Sequence, residues 1–99
     1  MRMLIASDTR LDVDVICTCA RDAKRVMNEK NISVLFVSQR IKGRERGIDI
    51  LRWAESRSLL PRQITLVDAN PTACFELGNF LKAKGFRAFD ARNFIRIVH

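Results

Sequence analysis

Histidine is nearly missing from this chain, and tyrosine is missing altogether. The one histidine is the terminal His99, so the interior offers no imidazole as a general base or metal ligand. Carboxylates are then the remaining base candidates. Three cysteines, Cys17, Cys19 and Cys74, make an odd set and a poor disulfide framework. A single residue separates Cys17 from Cys19, which is not the spacing of a zinc knuckle. In an extended segment the two share a face and serve as small hydrophobes. The two prolines and four glycines are not gathered into a linker, and no repeat or low-complexity segment marks a domain boundary. No apolar run approaches the roughly 18 residues of a membrane span. The opening MRMLIASDTR is too short in its apolar part, and acidic too soon, for a secretory signal. These absences point to a soluble, cytoplasmic chain that does not contact membranes. Neither a Walker-type loop nor G-x-G-x-x-G occurs, which excludes nucleotide binding by those routes.

What is present suits one packed domain. The 99 residues are 47% hydrophobic, with six Phe and one Trp, enough for a single core without staples. Periodicity predicts the elements. "RMLIAS" (2–7) reads as a buried strand and "VDVIC" (13–17) as a second. Ala20, Ala23, Val26 and Met27 recur at helical spacing over 20–30. "ISVLFVS" (32–38) is apolar throughout and β-branched, which predicts a central parallel strand covered by helices, with Phe36 in the core. A helix over about 47–59 presents Ile48, Leu51 and Ala54 on one side, and Pro61 stops it. "QITLVD" (63–68) is another buried strand. Asn70 suits a helix N-cap and Pro71 the first helical position. Ala73, Leu77, Phe80 and Leu81 stripe that helix, and Gly85 ends it. "FRAF" (86–89) reads as a last strand, and 93–99 as a further strand or an apolar tail. The alternation means α/β with a mostly parallel sheet. About five residues between the first two predicted strands are too few for a crossover helix, so that helix is reduced or the second strand irregular.

Charge is concentrated in the middle. The chain carries a net +7, of which residues 1–39 hold +1, residues 40–62 hold +4 and residues 63–99 hold +2. "RIKGRERG" puts Arg40, Lys42, Arg44 and Arg46 within seven residues. Such runs are ordinarily solvated, mobile loops; functionally, this one would attract an acidic protein surface or a phosphate backbone. No recognition helix, aromatic RNA-binding motif or zinc finger accompanies it, and Trp53 and the Phe residues suit a core better than a stacking platform.

In open α/β sheets, ligands sit beyond the carboxyl ends of the strands. Three segments end there: "ASDTR" with Asp8 and Arg10, "VSQRIKG" with Ser38, Gln39 and Arg40, and "VDANP" with Asp68 and Asn70. In their order these segments resemble the receiver fold of response regulators, most nearly its cyclic-phosphate-processing branch. That branch carries L-D-D-x-R, S-L-D-x-D-L and H-S-x-N-P motifs at the corresponding strand ends. The resemblance covers roughly residues 2–90 and implies a three-layer, flavodoxin-like, five-stranded sheet with clustered Asp residues that hold a divalent cation and handle phosphate. This chain keeps Asp8, Arg10, Asn70 and Pro71, but has Ser7 where a second acid is usual. Ser38 and Arg40 stand where the family places two Asp, and Val67 and Asp68 replace His and Ser. "FRAFDAR" supplies no counterpart to the receiver's lysine.

A hard cation such as Mg²⁺ needs several oxygen ligands, and Asp8 and Asp68 are the only acids offered here. The expectation is a catalytically degenerate, receiver-like module with no cofactor. It would regulate or inhibit a protein partner with an acidic surface, bound through Arg40, Lys42, Arg44 and Arg46. Asp68 would pair with Arg10 or Arg40 where a metal once sat. The first rival is a metal-dependent phosphate-processing enzyme using Asp8 and Asp68, with Arg10 orienting the phosphate and Asn70 nearby. The second is a non-specific nucleic-acid binder.

Overall fold

The apolar residues of the strands find one another across the sheet. A computed structural model describes residues 1–97. β1 (Arg2–Ile5), β2 (Val15–Cys17), β3 (Val34–Val37) and β4 (Gln63–Leu66) are parallel. β5 (Phe86–Ala88) and β6 (Asn93–Arg96) form an antiparallel hairpin, and the sheet order is β2-β1-β3-β4-β6-β5. The sheet has six strands where the sequence predicts five, because part of the 93–99 segment pairs with β4 and pushes β5 to the edge. The last two residues of that segment, His99 included, lie outside the described residues.

The helices are α1 (Ala20–Glu29), α2 (Gly47–Ser56) and α3 (Pro71–Ala83). The connections β2–α1–β3, β3–α2–β4 and β4–α3–β5 all travel in one direction along the sheet. Right-handed crossovers then put all three helices on one face. Contacts of α1 with α2 and of α2 with α3 agree. The return from β1 to β2, residues 6–14, contains no helix. The architecture is therefore two layers, helices on one sheet face, in place of the three the resemblance implies.

This arrangement decides which residues form the core. Met3, Leu35 and Ile64 lie in register, as do Ile5, Val37 and Leu66, and all six are buried. They pack in one cluster with Ala23 and Met27 of α1, Ile48, Leu51 and Ala54 of α2, and Leu77 and Leu81 of α3. The opposite row, Ile16, Leu4, Phe36 and Thr65, faces away. Leu4 is buried there but belongs to no part of the main cluster. Phe36 is only half-buried, with the Arg2 guanidinium 5.3 Å from its ring centre. The predicted core position of Phe36 is thus corrected: β3 is central, but helices cover only one of its faces.

Two backbone details bring the site together. Gly47 opens α2 so close to β3 that a Cβ there would lie 2.1 Å from the Ser38 carbonyl oxygen. At α3, the Asn70 side chain accepts a hydrogen bond from the Thr72 N–H at 2.8 Å, with Pro71 in the first turn as its sequence position predicts.

Candidate functional site

Parallel register carries the ends of β1, β3 and β4 to one edge, where the N-termini of α2 and α3 also arrive. An open cavity of about 630 Å³ lies there, lined by residues 7–9, 38–41, 43–46 and 67–70 together with Ala73. Asp8, Arg40, Arg44, Arg46, Asp68 and Asn70 all contribute to its walls. Lys42 and Arg10 are exposed and do not line it.

Asp68 ends an apolar strand, so its carboxylate must be paired or solvated. Its Oδ1 accepts from the Ser38 hydroxyl at 2.5 Å and its Oδ2 from the Gln39 backbone N–H at 2.9 Å. The Ser38 oxygen in turn accepts from the Arg40 N–H at 3.0 Å. The expected bridge from Asp68 to Arg10 or Arg40 is absent among the described residues. Asp68 fastens the β3 exit loop to the β4 exit, and Arg40 instead lies 3.8 Å from Asp8, both side chains largely exposed. An exposed pair at that distance contributes little.

Gln39, unassigned in the sequence reading beyond its place at a strand end, is the hub of a second network. Its Oε1 accepts from the Ile48 N–H at 2.7 Å, at the start of α2. Its Nε2 donates to Glu76 on α3. Glu76 also receives both terminal nitrogens of Arg46, at 3.1 and 3.3 Å. A two-pronged guanidinium–carboxylate pair of this kind is geometrically committed. Arg46 therefore holds the loop to α3 and is removed from the set of cations offered to a partner. Glu76 gives no sequence signal, because its partners lie some thirty residues upstream on another element.

The side chains of Arg40, Lys42, Arg44 and Arg46 are exposed, while the backbone of the basic loop is anchored at two points. Arg40 accepts from the Ser7 N–H at 3.0 Å, and Lys42 donates its N–H to Thr18 at 2.8 Å. A parallel bridge joins Cys19 to Lys42, and Ile41 is buried between these two anchors. The loop thus crosses the ends of β1 and β2 as a fixed strap. Glu45, the acid within it, pairs with Lys24 at 3.0 Å. Among the described residues neither Lys42 nor Arg44 has an ion-pair partner, and both are exposed.

The acids at this edge are few and already hydrogen-bonded. No cluster of three or more Asp, Glu, His or Cys that could hold a metal occurs among the described residues. Both Asp68 oxygens are engaged by donors, and the Asp8 carboxylate faces the Arg40 guanidinium and the Ser7 hydroxyl. At this edge Mg²⁺ would find at most two carboxylates, each already accepting hydrogen bonds. Cys74, beside the cavity, donates to the Asp68 carbonyl at 3.4 Å, and burial pushes its thiol pKa up, so it is less nucleophilic than a free cysteine. Burial, and next the Asp22 charge, do the same to Cys17. No helix among the described residues is long and apolar enough to cross a membrane.

No family model, curated protein or solved structure matches the chain.

Proposed function

We propose that the chain is a non-catalytic, receiver-like binding module that regulates or inhibits a protein partner by gripping an acidic surface. The grip is the strand-end edge that carries Arg40, Lys42 and Arg44. One observation carries this reading: the backbone of the basic loop is pinned over β1 and β2 while Lys42 and Arg44 keep their charges unpaired. Cations on a fixed strap lose less freedom on binding than cations on a floppy loop, so more of the electrostatic attraction survives as affinity. Metal-dependent phosphate chemistry draws no support from an Asp68 that is spent on holding two loops together.

The test is titration of the ¹⁵N-labelled protein with a decaglutamate peptide over a salt series, beside a duplex oligonucleotide and Mg²⁺. Binding by the peptide, with shifts centred on residues 40–44 and fading as salt rises, is expected. An Arg40/Lys42/Arg44→Ala variant should lose at least about tenfold in affinity. Shifts at residues 8–10 and 68–70 on adding Mg²⁺ would restore the enzyme reading. Tighter binding of the oligonucleotide than of the peptide would replace this reading with a nucleic-acid one.

A further inference from the structure

The opposite end of the sheet carries a second surface that the strand-end edge does not explain. β5 is the terminal strand, and among the described residues its only neighbour is β6. The direction of its free groups follows from alternation in the hairpin. Leu66 and Arg96 donate across the β4–β6 pair, to Arg92 and Arg62, so the even-numbered residues of β6 bond to β4. The odd-numbered ones turn to β5, as the 2.8 Å bond from the Phe89 N–H to the Asn93 carbonyl shows. Arg87 therefore faces β6, while Ala88 turns its N–H and C=O outward to the open edge. Among the described residues Ala88 has no backbone partner on that side, and it is exposed.

Beside this edge runs a groove of about 290 Å³ between α3 and the hairpin, with Pro71, Cys74, Phe75, Gly78, Ala88 and Phe94 on its walls. Phe75 stands at its rim 69% exposed, an aromatic ring on the solvent side of a helix with no cover of its own. Lys82 lines the groove, Arg92 in the hairpin turn is exposed, and Arg87 is exposed on the other face of the sheet, because its neighbours Phe86 and Ala88 face α3. Of the acids, Glu76 holds Arg46, and Asp90, itself on the groove wall, accepts from the N–H groups of Arg92 and Asn93.

An unpaired edge with an apolar groove alongside it is what strand-addition recognition uses, and the exposed Arg87 on the other face favours an acidic segment. We propose that β5 and α3 together take up an extended acidic peptide segment of a partner protein. Its backbone would pair with Ala88, one apolar side chain would enter the groove against Phe75 and Phe94, and the carboxylates beside it, turned to the other face of the sheet, would meet Arg87. This surface stands independently of the grip assigned to residues 40–44.

The probe is a labelled nonapeptide of alternating glutamate and valine, followed by anisotropy and by ¹⁵N shifts. A second probe of the same sequence carries N-methyl groups on alternate amides, which keeps the charge and abolishes strand pairing. The first is expected to bind, with shifts at residues 74–78, 86–89 and 94 and slowed exchange of the Ala88 amide. The second should bind at least about tenfold more weakly. Ala88→Pro removes only an outward N–H, which edge strands tolerate, and should weaken the first peptide to the same degree. Phe75→Ser, at an exposed position that does not threaten folding, should do likewise. Equal binding of both peptides, indifference to both substitutions, shifts confined to residues 38–46, or no binding at millimolar peptide would each overturn the proposal.

Discussion

Asp68 shows how much one side chain can hold when its partners are themselves loop ends. It joins Ser38, which is buried, to the Gln39 amide, and so ties the exits of two strands together. Asp68→Ala leaves a buried hydroxyl and an amide without their acceptor, and should cost about 2–3 kcal/mol in urea unfolding. The sequence placed Asp68 at this edge correctly, but named arginines as its partners. Charge is visible in a sequence, whereas the nearness of a neutral hydroxyl and a backbone N–H is a property of the register. Phe36 carries the complementary lesson. In "VLFV" it looks like the centre of a buried strand, because an unbroken apolar run does not say which face lacks cover. Half-buried under Arg2, it should lose only about 1–2 kcal/mol as Phe36→Ala, below the 3–5 of a fully enclosed phenylalanine. A larger loss in the same unfolding assay would place it in a core after all.

Among the elements, the helices and parallel strands were the legible ones, for they rest on local periodicity. α1, β3, α2, β4 and α3 fall inside the predicted spans, and α3 starts at Pro71 behind its Asn70 cap. The β5–β6 hairpin was half legible. Its strands could be read, but the strip of sheet into which β6 fits is a matter of long-range pairing that no local pattern records. The turn between them makes a test of its own. The Asp90 carboxylate accepts from the Arg92 N–H, then from the Asn93 side chain and the Asn93 N–H, and these bonds hold its pKa below the ordinary 3.8. A group depressed on folding adds stability above its unfolded pKa and loses it as pH falls through the folded one. As pH falls below the ordinary 3.8 the hairpin should therefore loosen, read as faster amide exchange at residues 89–93. In Asp90→Asn that acid-dependent change should disappear.

At the scale of the molecule the sheet is clothed on one side, and β6, late in the chain, is internal in space. β6 lies between β4 and β5, and Phe94 fills the space left by the missing side chain of Gly78, where a Cβ would lie 3.1 Å from the ring. Ending the chain after Ala91 would strip the neighbour from both β4 and β5 and uncover Ile64, Leu77 and Phe86. Such a truncation should show no cooperative thermal transition by circular dichroism, and retention of a sharp melt would refute the account of the core given above. The general architecture, α/β with a mostly parallel sheet, was readable from alternation, but its one-sidedness was not, since the missing layer leaves no mark in the residues that remain.

The position of β6 also sets an order of events during synthesis. A ribosome delivers Phe86–Ala88 before Asn93–Arg96, so the outer rung emerges while the rung that must carry it is still in the exit tunnel. For that interval the nascent chain displays Phe86 and the apolar flank of α3 with nothing to close over them. Until Asn93–Arg96 have followed and paired, those hydrophobes are open to chaperones and to neighbouring nascent chains alike.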